Sequence, residues 1–251
     1  MAFRDHLLFW PGLAIAPLLV AEAAWARRNT PRLNVARPPD YGSSGDDRNT
    51  GADVVSIVLL GESTAAGVGA ATHDRALAGW LARGLSEQLL RPIRHRSLGL
   101  VGARAIDCLE QTLPFELLPL LKREPATVVV LMLGANDTTK LTPRKRWRAE
   151  LHRLVDELRG GTSGPIVLTG VPPMAHFTAL PQPLRAVVGA RARMLDDDIA
   201  LVASERQQTY HHAPRVPMKR EFLASDGFHP SERGYEVWAE QLTELIASVL
   251  T

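Results

Sequence analysis

The stretch "TVVVLMLGANDTT", residues 127–139, decides how the chain is built. From Val128 to Leu133 it is unbroken apolar sequence rich in β-branched side chains, and it stops at Gly134. A run this short, with no polar residue alternating through it and a glycine at its end, marks a strand buried on both faces. "VVSIVLL" (54–60) ends the same way at Gly61, and "PIVLTG" (165–170) ends at Gly170. "IRHRSLGL" (93–100) is a weaker strand of the same kind. Between these runs the spacing turns helical. Leu77, Leu81, Leu85 and Leu89 share one face of 74–90. A charged amphipathic helix follows Pro143 over 143–159, a long helix covers 183–207, and the last covers 231–249. "AIDCLEQTLPFELLPLL" (105–121) reads as one or two helical pieces interrupted near Pro114. Apolar strands alternating with helices predict an α/β fold, a mostly parallel sheet covered on both faces.

That domain is expected to span residues 54–251. Residues 29–53, "NTPRLNVARPPDYGSSGDDRNTGAD", are rich in turn-formers, lack apolar periodicity and read as a linker. Residues 1–28 differ again: "LLFWPGLAIAPLLVAEAAWA" (7–26) carries one charge, Glu22, over a length that suffices to cross a bilayer as a helix. A retained membrane anchor is the first reading of this N-terminal hydrophobic helix. A cleaved signal ending at "AWA" (24–26) is the second, and an amphipathic helix packed on the domain the third. The corresponding localisation is the cell envelope, membrane-associated or exported, with the cytoplasm as the alternative.

A net charge of +2 spread along the chain makes no case for nucleic acid. The single cysteine, Cys108, excludes an internal disulfide and sits in a helical apolar run as a small core residue. "DDD" (196–198) and "HH" (211–212) lack metal-ligand spacing and read as a solvated helix face and a loop. "RKRWR" (144–148) reads as a helix surface. No metal and no organic cofactor is implied.

In open parallel sheets, ligands bind beyond the carboxyl ends of the strands. Those ends here are "GESTAAGVG" (61–69), "GLVGARA" (99–105), "GANDTTK" (134–140) and "GVPPM" (170–174), with "SDGFHPSERGY" (225–235) before the last helix. Ser63, at a strand-to-helix turn, is the natural nucleophile, but a serine hydroxyl needs a base. His229 supplies an imidazole, and Asp226, three residues earlier, can hold its tautomer and stabilise its cation. Acyl transfer also needs donors for an oxyanion. The backbone N–H groups of Ser63 and Gly102 and the side-chain amide of Asn136 stand at the right strand ends, while Asp137 reads as a structural residue holding the Asn136 loop.

These blocks resemble the SGNH/GDSL hydrolase family over roughly residues 54–250. "GES" (61–63) matches its Gly-Asp-Ser block, Gly102 its glycine block, "GANDTT" its Gly-x-Asn-Asp block and "DGFHPSERGY" its Asp-x-x-His block. The resemblance implies a flavodoxin-like three-layer α/β/α sandwich of about five parallel strands. It implies Ser63, Asp226 and His229 as a catalytic triad and Ser63, Gly102 and Asn136 as the oxyanion hole. It implies an ester hydrolase, with acyltransferase and carbohydrate O-deacetylase as alternatives on the same site. The substrate would be a small-molecule, lipid or carbohydrate ester. A binding protein on a silent hydrolase fold is the reading from another class. Two departures stand out: Glu62 where the family has Asp, and Ser97 or Leu98 where an Asn often precedes the glycine block. "GESTA" is also not Gly-x-Ser-x-Gly, which disfavours an ordinary α/β-hydrolase elbow. The walls of a substrate pocket are expected from "ARAIDCLEQTLPF" and "VPPMAHFTALPQPLR", with Met174, Phe177 and Leu180 as acyl-facing candidates.

Overall fold

The computed structural model describes residues 15–45, 53–217 and 219–251. Its centre is a six-stranded sheet in the order β1-β3-β2-β4-β5-β6. The strands are β1 (Tyr41–Ser44), β2 (Val55–Gly61), β3 (Ile93–Gly99), β4 (Val128–Met132), β5 (Ile166–Thr169) and β6 (Thr209–His212). Every pairing from β3 to β6 is parallel, and β1 alone runs antiparallel on the edge beside β3. β4, the strand of the opening motif, is buried along its whole length, as a central strand covered on both faces must be.

The helices divide between the two faces. Leu77–Leu89 (α2) and Glu232–Leu250 (α8) cover one, where Leu81, Leu85, Tyr235 and Leu242 meet Ile57, Leu59 and Val130. On the other face lie Arg144–Arg159 (α6) and Leu184–Ser204 (α7), with a helical segment from Ala105 to Arg123. That segment comprises Ala105–Asp107 (α3), π-helical turns over Cys108–Leu117 and Leu118–Arg123 (α4). The interruption expected at Pro114 is absent. The wider π register absorbs the missing N–H while Leu113 and Leu117 stay buried. Ala135–Thr139 (α5) is a single turn directly after β4.

One expectation about the N-terminal part is corrected. Residues 41–44 form β1, so the stretch read as a linker contributes to the sheet. Ser97 donates its backbone N–H to the Asp40 carbonyl (2.7 Å), and Ala36 is buried with its N–H on the Ala66 carbonyl (3.1 Å). Backbone pairing carries this segment, which is why apolar periodicity did not reveal it. Among the described residues no helix is long and apolar enough to cross a membrane. Residues 1–14 of the N-terminal hydrophobic segment lie outside the described residues. The rest forms Ala16–Asn29 (α1), which rests on the start of α7. Leu19 packs with Leu184, Val187, Ala190 and Met194, and the Glu22 carboxylate accepts the Leu184 backbone N–H at 2.8 Å. Ala26, the last residue of the "AWA" signature, is buried.

Candidate active site

β2 ends at Gly61, where a Cβ would lie 2.1 Å from the Met132 carbonyl oxygen of neighbouring β4. Only glycine lets the strands stay paired to this point, and the chain then turns and presents Ser63 at the sheet edge. The segment before α8 supplies the other two side chains. Leu223 bridges to Pro230, and Gly227 takes a φ of +65°, the left-handed region that glycine enters without cost. This tight loop returns His229 toward Asp226.

The three side chains predicted to act together do meet. His229 Nε2 stands 2.8 Å from Ser63 Oγ, and His229 Nδ1 stands 2.6 Å from Asp226 Oδ2. The other Asp226 oxygen accepts the backbone N–H groups of Phe228 (2.9 Å) and His229 (3.0 Å). Burial works to raise the Asp226 pKa, but the His229 ring and those N–H groups outweigh it and hold the carboxyl below its ordinary value. Asp226 is therefore a fixed anion at neutral pH. His229 keeps a partly open edge, with its side chain 18% exposed.

The oxyanion candidates stand at the ends of β2, β3 and β4. Among the described residues no acceptor takes the backbone N–H of Ser63 or of Gly102. Gly102 has a φ of +79°, and a Cβ there would meet nothing within 4 Å, so the backbone conformation, not crowding, demands glycine. Its turn is laced to the Asn136 turn. Lys140 Nζ donates to the Gly102 carbonyl (2.7 Å), and Asp137 accepts the Ala105 N–H (3.0 Å) and the Thr142 hydroxyl (2.7 Å). Asp137 is thus the structural residue expected.

What the sequence flagged only as a departure, Glu62, is the hub of this region. It is 4% exposed, and its carboxylate accepts the backbone N–H of Ala135 (3.1 Å) and of Asn136 (3.0 Å). It also accepts the side-chain amide of Asn136. Glu62 therefore sets the orientation of Asn136. Burial pushes its carboxyl up to about 7, against the pull of the Asn136 and Ala135 N–H groups, and Asp137 adds to the rise. Because folding raises this pKa, the stability held in the protonated form is complete below the ordinary value of 4.5 and is lost as pH climbs through about 7. Glu62→Gln has no proton to lose. The unfolding free energy of the wild type is expected to fall relative to this variant by about 3 kcal/mol between buffer below pH 4.5 and buffer above pH 7, taking ~1.4 kcal/mol per pKa unit. Denaturant titrations across that range check it, and parallel profiles for the two proteins would refute it.

Two recesses adjoin the site. A cavity of about 60 Å³ lies beside Ser63 and His229, walled by Phe177, Phe228, Val216 and Trp238 among others. The Phe177 and Phe228 rings pack at 4.7 Å. A larger groove of about 650 Å³ runs from His229 to α1. Of the pocket residues expected, Phe177 lines the cavity and Leu180 the groove, whereas Met174 is buried in the core. "ARAIDCLEQTLPF" lines neither: Ala105, Cys108 and Leu113 face the core, and burial pushes the Cys108 thiol up to about 12. "DDD" and "HH" correct the expectation of a solvated face and a loop. Asp196 Oδ1 meets His211 Nε2 at 2.9 Å and accepts the Val171 N–H, bracing the turn after β5, and His211 and His212 lie in strand β6.

A mostly parallel α/β/α sandwich with a serine, an imidazole and a carboxylate in series at its carboxyl edge defines a serine hydrolase of the flavodoxin-like type. The chain belongs to the GDSL-like lipase/acylhydrolase family, whose model matches residues 59–237. It acts, as that family does, on ester bonds. A GDSL-like esterase of Mycobacterium tuberculosis is 31% identical over 249 residues, covering 93% of this chain and 77% of that protein. Among solved structures, the psychrotrophic esterase EstA from Pseudoalteromonas sp., inhibited by monoethylphosphonate, superposes with a TM-score of 0.60. It is 18% identical and covers 78% of this chain and 98% of its own. A family two carbohydrate esterase from Clostridium thermocellum in complex with cellohexaose gives a TM-score of 0.57 at 18% identity, covering 78% and 64%. At these identities the two structures speak for the fold.

Proposed function

We propose that Ser63, His229 and Asp226 form the catalytic triad of a carboxylesterase, with the N–H groups of Ser63 and Gly102 and the amide of Asn136 as its oxyanion hole. The observation that carries this is the unbroken hydrogen-bonded chain from Ser63 Oγ through the imidazole to the buried Asp226 carboxylate. His229 Nε2 takes the Ser63 proton as Oγ attacks the ester carbonyl. The carbonyl electrons move to an oxyanion that the three donors receive. Collapse of this intermediate expels the alcohol, which takes the proton back from His229. Water, activated by the same imidazole, then attacks the acyl-enzyme and releases the acid. Asp226 stays ionised throughout and stabilises the imidazolium.

The size of the Ser63 cavity, about 60 Å³ with apolar walls, favours a short acyl group such as acetyl or butyryl over a long chain. That observation also supports a second reading, O-deacetylation of a carbohydrate. Release of acetate from acetylated sugars, compared with 4-nitrophenyl esters of increasing chain length, separates the two. Envelope localisation is a further part of the proposal and rests on the apolar sequence of residues 7–26.

A fluorophosphonate reagent tests the assignment directly, because only an activated serine attacks its phosphorus. Peptide mapping is expected to find the adduct on Ser63, and the Ser63→Ala chain is expected to take no label. Absence of label on Ser63 in the folded protein would favour a silent binding protein on this fold.

A further inference from the structure

The groove between α1 and the site carries charge that the proposed reaction does not use. Its floor is apolar, from Val101 at the end of the β3 loop to Leu184 at the start of α7 and Phe228 beside the imidazole. Its far wall is α1 and the turn after it, which bring Arg27 and Arg32 to the groove. Neither arginine has a hydrogen-bond or ion-pair partner among the described residues. The acids nearby do not pair with them: Glu22 accepts the Leu184 N–H, and Asp226 is held by the His229 ring and two backbone N–H groups. α1 is fixed to the domain by Leu19, Ala26 and Glu22, so these two cations are placed by the fold.

Resting on the reading of Ser63 and His229 as the reacting pair, we infer that this groove binds the arm of an ester that ends in an anionic group, a carboxylate or a phosphate. Arg27 and Arg32 receive that anion across an apolar span from the ester carbonyl. The short arm occupies the cavity at Ser63. Guanidinium forks match both oxyanions in geometry, and each such charged contact strengthens as the groove sheds water. An apolar floor with cations at one end fits neither a neutral sugar nor an unbroken alkyl chain. It does fit an amphiphilic ester of about 650 Å³ or less.

The full chain is compared with Arg27→Gln/Arg32→Gln and with Arg28→Gln, whose side chain lies on α1 outside the groove. Two probe pairs separate the sources of charge. One is mono-4-nitrophenyl adipate against its methyl ester, with a carboxylate on the acyl arm. The other is acetylated glycerol 3-phosphate against glycerol monoacetate, with a phosphate on the alcohol arm. In at least one pair the wild type is expected to prefer the anionic member by about tenfold in kcat/KM, through KM. The double variant should lose that preference, while Arg28→Gln keeps it. Added salt should shrink it, and 4-nitrophenyl acetate should turn over equally in all three proteins. Equal treatment of charged and neutral members by wild type and double variant would overturn the inference, leaving Ser63-dependent hydrolysis of 4-nitrophenyl acetate as support for the triad. Failure of that hydrolysis would overturn the triad and the role of the groove together.

Discussion

Replacing Ser63 with Ala is expected to lower kcat for 4-nitrophenyl butyrate by about a thousandfold or more while the protein stays folded. The substitution removes one oxygen, whose hydrogen bond is to His229 Nε2. No backbone group loses a partner, because the Ser63 carbonyl still accepts the Val68 N–H at 3.0 Å. The stability cost is therefore that of one partly exposed hydrogen bond, about 1 kcal/mol. The chemical cost is of another order. Without Oγ there is no acyl-enzyme, and direct attack by water retains only what substrate binding and the oxyanion donors supply. Steady-state kinetics beside a thermal melt separates the two. A variant that melts like the wild type and turns over within tenfold of it would remove Ser63 from the chemistry. A variant that does not fold would contradict the modest stability role that the geometry gives it.

The parts of this site that could be read from the chain are those whose chemistry has a local signature. β2 and β4 are apolar runs stopped by glycine, and they placed Ser63 and Asn136 at one edge. Asp226 and His229 sit three residues apart in a turn-forming stretch, and the loop closes on that spacing. What escaped has no such signature. β1 reads as loop because its residues are polar and glycine-containing, half facing solvent on an edge. β6, "TYHH", is likewise an edge strand with three of its four residues only partly buried. The packing of α1 on α7 was not legible either, because apolar length alone does not distinguish lipid from a protein surface. Glu62 was visible as an unusual residue but not as a hub. Its donors lie 73 and 74 residues away in sequence, and a carboxylate shows no sign of its burial until the sheet brings them together.

That hub leads to the second large effect. Asn136→Ala is expected to lower kcat by about a hundredfold, with KM little changed, because an oxyanion donor acts on the transition state and not on the bound ester. Glu62 borders the cavity at Ser63, and Glu62→Gln is expected to act through Asn136. One of its two carboxylate oxygens becomes an amide nitrogen, so a backbone or side-chain N–H that Glu62 received is left facing a donor. The Asn136 amide then loses its fixed direction, at a cost of about tenfold in kcat, the equivalent of one weakened hydrogen bond. If Glu62 works through Asn136, its effect should disappear once that amide is gone. The double variant Glu62→Gln/Asn136→Ala should turn over no more slowly than Asn136→Ala alone, a coupling that two independent residues would not show. Two costs that multiply in full would mean that Glu62 supports the site by another route, through the Ala135 turn or the position of Ser63 itself. The position of Glu62 between β2 and α5 argues for the coupled result: two of its three hydrogen bonds end on Asn136, and both are made by the oxygen nearer that residue.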